Sequence, residues 1–442
     1  MNVIEQYQLG GRKSAEIAAS AEAAVREGRL LPGAALPPVR ELAGALGVST
    51  GTVAAAYARL RDRGVVTTAG RRGTRVAPRP PLPAPEPAPP PPGARDLAAG
   101  NPDPALLPDL GAALARVEPA SGRYTDGVNL PGLLDLARRW LDADGIPSGH
   151  LAVAGGAMDG VERVLTASLA PGDRVAVEDP GYPRVLDLLG ALGLVPVGLP
   201  LDERGARPEG LERALAAGVA AMIVTPRAQN PTGAAMDEGR AAELRGLLRA
   251  HPEVLVVEDD HAGPVAGAPA TTLCDGDRPG WAVVRSVSKA LGPDLRLALV
   301  AGAPATVARV AGRQLLGTGW VSHLLQRLVV ELAADAERDG LLDHAAATYA
   351  ARRAALIDAL AASGIPATGR SGLNVWVPVR DEAVVAARLR DAGWVVATGD
   401  RYRLRSGPAI RVTVAELSPA DATRFTAELA ASLTPAERTY AG

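Results

Sequence analysis

Apolar positions in the first 76 residues recur at helical spacing. Ile17, Ala21 and Ala24 mark one face of a helix ending near Gly28. Val39, Leu42, Ala43 and Leu46 mark a second, opened by Pro37–Pro38 and closed by Gly47. Ser49 is a good N-cap for a third helix, with Val53, Ala56, Tyr57 and Leu60 on its buried face. The turn Gly47-Val48-Ser49 is as tight as helix-turn-helix geometry requires. After Gly64, VVTTAGRRGTRVA predicts a two-stranded hairpin with Arg71 and Arg72 at its tip.

The pattern then stops. Residues 77–95, APRPPLPAPEPAPPPPGAR, hold 10 Pro in 19 positions, which forbids helix and paired strand and favours extended polyproline II. At about 3.1 Å per residue this stretch is a semi-rigid spacer of roughly 60 Å. It is the clearest boundary in the chain.

Beyond it, short apolar runs alternate with helical stretches: LAVAG, RVAVEDP, VPVGLPL, AMIVTP, VLVVEDD, WAVVRSVS and LALVAG. Continuous apolar runs separated by helices predict a mostly parallel sheet covered on both faces, an α/β fold whose ligands bind beyond the carboxyl ends of the strands. Residues 303–363 carry long Ala/Leu/Arg helical patterns. GLNVWVPV and AIRVTV, within 364–434, predict a smaller α/β C-terminal domain. The expected division is 1–76, a linker over 77–95, a large domain over 96–363 and a small one over 364–442.

Composition narrows the classes. With 442 residues, 47% hydrophobic and 22% charged, the chain reads as a soluble multidomain protein. A single cysteine, Cys274, excludes a disulfide framework and a cysteine-based zinc site, and no metal is expected. No apolar run reaches the roughly 18–20 residues of a membrane span, and the N-terminus lacks a signal core, so a cytoplasmic protein with no membrane partner is expected. Charge is uneven. Residues 1–80 carry 12 Lys/Arg against 6 Asp/Glu, a balance of +6; with −2 for the whole chain, the remainder carries −8. A basic module on an acidic body predicts that the first part alone meets a polyanion.

Lysine is scarce: Lys13 and Lys289 stand against 45 Arg. Where a plain positive charge suffices this chain uses Arg, so Lys289 points to what an amine alone can do, which is to lose its proton and form an imine. Its surroundings suit an aldehyde cofactor such as pyridoxal 5′-phosphate (PLP), which also needs an anion at its ring nitrogen, phosphate donors, a stacking ring and a partner for its phenolic oxygen. Asp259 ends VLVVED, Asn230 lies in TPRAQNPTG, and Gly155-Gly156-Ala157 sits between a strand and a helix, where free N–H groups can hold phosphate.

These residues resemble the fold-type I, class I/II aminotransferases over roughly 97–434. The resemblance implies that Lys289 carries the cofactor, Asp259 keeps its ring nitrogen protonated, and Asn230 bonds its phenolic oxygen. It assigns phosphate to Ser286, Ser288, Arg296 and the backbone of Gly156 and Ala157. It places Tyr182 on the ring, Tyr124 at the phosphate across a dimer, and Arg411 as a bidentate clamp for a carboxylate, with Asn374 near it. His261 stands where relatives have tyrosine beside the cofactor oxygen. Its titration is expected to overlap neutral pH, and a purely structural role is an equal alternative. The other histidines, His150, His251, His323 and His344, read as structural.

The segment EGRLLPGAALPPVRELAGALGVSTGTVAAAYARLRDRGVV with the wing GRRGT resembles the GntR-type winged helix-turn-helix. This implies double-stranded operator DNA as partner. The helix starting at Ser49, with Thr50 and Thr52, would enter the major groove; Arg40 would contact phosphate, and Arg71 and Arg72 a neighbouring groove. Thr50 and Gly51 stand where the family often has a basic residue. The order of the modules resembles the MocR/GabR subfamily of GntR regulators, which implies a domain-swapped homodimeric transcription factor sensing a small amine, an amino acid or PLP itself. A working aminotransferase with an accessory DNA-binding domain is the alternative left open.

Overall fold

The computed structural model describes residues 9–26, 30, 33–62, 65–68, 73–77, 90–118, 123–124 and 127–433. Its N-terminal part contains α1 (Ser14–Arg26), α2 (Val39–Leu46) and α3 (Thr50–Asp62). A hairpin of β1 (Val66–Thr68) and β2 (Thr74–Val76) follows, antiparallel with Val66 opposite Val76. Ile17, Leu42, Val53, Leu60, Val66 and Val76 form one buried core, so the periodic positions do face inward. Gly47 ends α2 at φ +65°, where its N–H reaches the carbonyls of Ala43 and Gly44. Ser49 Oγ accepts from Thr52 N–H at 3.0 Å and caps α3.

The buried Tyr57 hydroxyl donates to the Pro37 carbonyl at 2.7 Å, tying α3 to the segment that leads into α2. Tyr57→Phe keeps the ring and strands that carbonyl. The N-terminal module should lose about 1 kcal/mol in denaturant unfolding followed by a probe local to it. The wing tip with Arg71 and Arg72, and residues 78–89 of the expected linker, lie outside the described residues.

From residue 90 the chain forms β3 (Arg95–Asp96), α4 (Leu110–Arg116), α5 (Pro131–Ala143), β4 (Leu151–Ala154), α6 (Ala157–Ser168) and β5 (Arg174–Asp179). Next come α7 (Pro183–Ala191), β6 (Val195–Asp202), β7 (Gly205–Ala206), α8 (Pro208–Ala216), β8 (Ala221–Val224) and α9 (Glu238–Arg249). They lead into β9 (Leu255–Asp260), β10 (Trp281–Ser286) and β11 (Ala298–Gly302). Three helices follow: α10 (Pro304–Leu315), α11 (His323–Arg338) and α12 (Leu341–Ala362). The chain closes with β12 (Asn374–Pro378), α13 (Glu382–Asp391), β13 (Trp394–Val395), β14 (Ala397–Thr398), β15 (Ala409–Thr413) and α14 (Pro419–Leu433).

Eight strands make the large sheet in the order β4-β11-β10-β9-β8-β5-β6-β7. Both β8–β9 and β9–β10 are parallel, and every residue of these strands is buried, as a sheet covered on both faces demands. β11 departs from the pattern, running antiparallel to both β10 and β4. A parallel crossover takes about a dozen residues or more, usually with a helix. Residues 287–297 make a direct return instead, which keeps that connection at the carboxyl end of β10. The core packs Val256, Val283 and Leu299 of the sheet with Leu133, Leu136, Leu244 and Val329 of the helices.

A second core combines Val375, Val377, Ile410, Val412, Phe425 and Leu429 with Leu97, Leu356 and Leu360. Residues on both sides of 363 therefore share it, and β3 joins the same region by pairing with β13. No helix among the described residues is long and apolar enough to cross a membrane.

Candidate functional site

The parallel strands β8 to β10 end at one edge of the large sheet, and chemistry-bearing residues gather there. Asp259 lies next to the last residue of β9, opposite Val284 of β10. Its carboxyl is buried, and Oδ1 has no hydrogen-bond partner. Burial, helped by the neighbouring charge of Asp260, pushes its pKa up to about 7.

On the adjacent connection, Lys289 donates from Nζ to the Gly100 carbonyl at 2.6 Å. Burial first, then the charges of Arg411 and Arg296, lower its pKa to about 8. With that value roughly a tenth of the amine is unprotonated at neutral pH, far more than of an ordinary lysine at about 10.4, and the neutral fraction is the nucleophile.

Arg411 Nη1 donates to Asn230 Oδ1 at 3.1 Å, and Nη2 donates to the Ala98 carbonyl. Nε is buried with no partner. The guanidinium carbon lies 5.3 Å from the centroid of the Tyr402 ring, a cation–π distance. Asn374 is buried on β12, and its Oδ1 accepts from Thr413 Oγ1 at 3.1 Å, two residues along β15 from Arg411. Tyr182 is half-buried; burial raises its hydroxyl pKa, opposed first by the Arg184 charge, and the charges of Asp259 and Arg411 also reach it.

Ser286 Oγ and Ser288 Oγ are 2.8 Å apart. Gly156 has φ +102°, and a Cβ there would stand 2.5 Å from Arg296 Nη2. Only glycine lets that guanidinium rest on the backbone just ahead of α6, which Ala157 opens. Gly155 differs from expectation. Its N–H is not free for phosphate but donates to Asp159 Oδ2 at 2.7 Å, because Asp159 folds back from the first turn of α6.

His261 also differs. Burial, and then the nearby Lys289 charge, lower its pKa to about 4, so the ring is neutral throughout the physiological range. The expected overlap with neutral pH overlooked the depth at which the end of β9 lies. Tyr124 is 94% exposed, with its ring edge-on to Trp320 at 5.8 Å, and does not join the cluster within its own chain.

Behind Asp259 lies a charged group with no signature in the sequence pattern. Asp260 Oδ1 and Oδ2 accept from Arg227 at 3.0 Å each, and Oδ2 accepts from Arg285 Nε at 2.8 Å. Asp144 meets the same two guanidiniums at 2.8 and 2.7 Å. Burial disfavours the Asp260 charge, but Arg285 and Arg227 outweigh it and hold the carboxyl well below the usual range.

An orphaned buried carboxylate oxygen suits a protonated ring nitrogen. A neutralisable amine suits an aldehyde, and a glycine-backed guanidinium with two hydroxyls suits phosphate. PLP carries all three groups.

On the N-terminal module Arg40, Ser49 and Thr50 are exposed and Thr52 is partly so. The hydroxyls of Ser49 and Thr52 are 2.9 Å apart, so the cap engages both. Arg71 and Arg72 fall outside the described residues.

Comparison with known proteins matches this division. Residues 95–429 match the family "Aminotransferase class I and II", and residues 13–76 match "Bacterial regulatory proteins, gntR family". The chain therefore belongs to the GntR-family transcriptional regulators that carry an aminotransferase-like domain, the MocR type. It is 39% identical to the vitamin B6 salvage pathway transcriptional repressor PtsJ of Salmonella typhimurium, over 95% of this chain and 98% of that one. It is 28% identical to the transcriptional regulator TauR of Rhodobacter capsulatus, over 85% of this chain and 86% of the other. Among solved structures, α-aminoadipate aminotransferase LysN of Thermus thermophilus matches with TM-score 0.69 and 21% identity, over 77% of this chain and 92% of its own. The cofactor of the large domain is pyridoxal 5′-phosphate, and the N-terminal domain binds DNA.

Proposed function

We propose that this regulator responds to PLP itself, bound at Lys289, and that occupancy of the site changes its affinity for operator DNA. The observation that carries the reading is the pairing of an orphaned buried Asp259 oxygen with a Lys289 amine of lowered pKa. Two relatives support the choice of effector: PtsJ, and the pyridoxine biosynthesis regulator PdxR of Corynebacterium glutamicum, 32% identical over 53% of each chain.

In this reading the cofactor supplies an aldehyde that condenses reversibly with amines. Lys289 holds it, Asp259 bonds its ring nitrogen, and Asn230 and neutral His261 bond its phenolic oxygen. Tyr182 covers the ring. Ser286, Ser288, Arg296 and the backbone of Gly156 and Ala157 take the phosphate, without Gly155. A homodimer would bring Tyr124 to the partner's site, and Arg40, Ser49, Thr50, Thr52, Arg71 and Arg72 would face DNA in the cytoplasm. Residues 1–76 then read the operator, 96–363 hold the cofactor, and 364–442 close the site around Arg411.

The test is titration of binding to the DNA upstream of the protein's own gene with PLP alone, then with amino acids added. A midpoint that shifts with PLP alone supports the proposal; a shift that requires an amino acid supports a second reading. That reading has its own observation, the buried Arg411, whose Nε has no partner among the described residues and whose two Nη groups meet the neutral oxygens of Asn230 and Ala98, which a carboxylate would displace. An effector of either kind switches the protein only through unequal affinity for its DNA-bound and free forms. Multiple-turnover assays with amino donors and keto acids distinguish both from a working transaminase.

Asp259 gives a pH-dependent prediction. Its pKa of about 7 lies above the ordinary 3.8, so in the cofactor-free fold its charge is destabilising. The penalty is absent below about pH 4, grows as pH rises, and is complete above about pH 7. Asp259→Asn should therefore raise the melting temperature of cofactor-free protein at about pH 8 and leave it little changed near pH 4.5. It should weaken PLP binding at both.

A further inference from the structure

Asp179 ends β5 with a buried carboxylate that has none of the roles given above. It faces three consecutive backbone N–H groups in the loop before β15. Leu404 N–H donates to Oδ1 at 2.9 Å, Arg405 N–H to Oδ2 at 2.8 Å, and Ser406 N–H to Oδ2 at 3.2 Å. The Ser406 hydroxyl adds a bond to Oδ1 at 2.9 Å. Two residues on, Gly181 N–H donates to the Tyr402 carbonyl at 2.7 Å, and a Cβ at Gly181 would collide with the Glu178 carbonyl. Successive N–H groups form a concavity suited to an anion, and bonds to a carboxylate are among the stronger ones.

Each side of this junction leads to the site. After Gly181 the chain continues into Tyr182. On the other side, the Tyr402 ring lies under Arg411 and meets Trp376 edge-on at 6.0 Å and 65°. Trp376 is in turn the strand partner of Arg411. A single carboxylate on the large sheet thus fixes the floor on which the Arg411 guanidinium rests.

We infer that Asp179 is a positioning residue for carboxylate recognition. By holding the Tyr402–Ser406 loop against the Tyr182 segment, it keeps Arg411 aimed at an effector's carboxylate. The inference rests on the reading of Arg411 as a carboxylate clamp. A merely structural Asp179 would affect all ligands alike, whereas a positioning one discriminates between ligands with and without a carboxylate.

The probes are alanine and ethylamine, which differ in the carboxylate, titrated into PLP-loaded protein while its visible absorbance is followed. Asp179→Asn replaces one acceptor oxygen with an amide N–H2 facing donors. It should weaken alanine about tenfold and leave ethylamine within about twofold. Ser406→Ala, which keeps the carboxylate and removes one bond, should shift the ratio the same way by less, and carries the test if Asp179→Asn does not fold. An unchanged ratio in both variants, or equal weakening of both probes, overturns the inference. Arg411→Ala separates the two levels. If it abolishes the preference for alanine while the Asp179 and Ser406 variants do not, the positioning role fails and the clamp stands. If Arg411→Ala leaves the preference intact, the clamp fails and the inference falls with it.

Discussion

Lys289→Ala is expected to release PLP. Wild-type protein should keep its visible absorbance through dialysis and become irreversibly labelled on borohydride reduction; the variant should do neither. Apparent affinity should fall about a hundredfold or more, roughly 2.7 kcal/mol. Lys289→Arg is the sharper control. It restores the positive charge but not an amine that can lose its proton, and a guanidinium stays protonated at any accessible pH. If the site uses the amine chemically, Arg behaves like Ala. Retained cofactor in Lys289→Arg would show that the position supplies charge alone. The scarcity of lysine in this chain leads to the same expectation, since Arg serves nearly everywhere else.

The second large effect falls on stability. Asp260→Ala leaves Arg227 and Arg285 buried, with Asp144 alone to balance them. Removing one partner from a buried ion group costs about 3–5 kcal/mol, because a charge is left uncompensated in a poorly solvating interior. For a domain of this size the melting temperature should drop by roughly 10 °C. The sign of the pH response is fixed as well. A carboxyl held below its ordinary pKa adds stability above that value and loses it as pH falls through the depressed one. The advantage of wild type over Asp260→Ala should therefore be full at neutral pH and shrink in acid. A change below 1 kcal/mol at pH 7 would contradict the account of this group. Because Asp260 lies between Asp259 and His261, the cofactor end of β9 depends on its being held still.

Much of this was legible in the sequence. The seven apolar runs became seven of the eight strands of the large sheet, and in β8, β9 and β10 burial on both faces leaves an unbroken apolar signal; the two-residue β7, Gly205–Ala206, is too short to leave one. Gly47, Ser49 and the periodic positions of the first helices behaved as their residue types require. Arg411 meets Asn230 directly, Lys289 feels the Arg411 charge, and Tyr182 feels both Asp259 and Arg411. What remained hidden has physical reasons. The contacts of Arg227, Arg285 and Asp260 join residues 25 to 33 apart, and charged residues at strand ends look solvated when read locally. Ala98 and Gly100 act through carbonyls, which leave no side-chain signature. Tyr402 gains its place under Arg411 from the loop that Asp179 binds. Gly155 carries a free N–H by pattern, but a carboxylate four residues on was near enough to take it. The reversed direction of β11 was implicit in a connection too short for a helical crossover.

The central claim joins two events: PLP at Lys289 and a change in operator binding. The direct measurement is the affinity of full-length protein for its upstream DNA, at fixed salt, across a PLP titration, for wild type and Lys289→Ala side by side. Fixed salt matters because phosphate contacts make DNA affinity steeply salt-dependent. The account predicts a PLP-dependent shift of DNA affinity in wild type, saturating as the visible absorbance saturates, and none in the variant. The same PLP response in both proteins, or saturation of the absorbance with no change in DNA affinity, would contradict it.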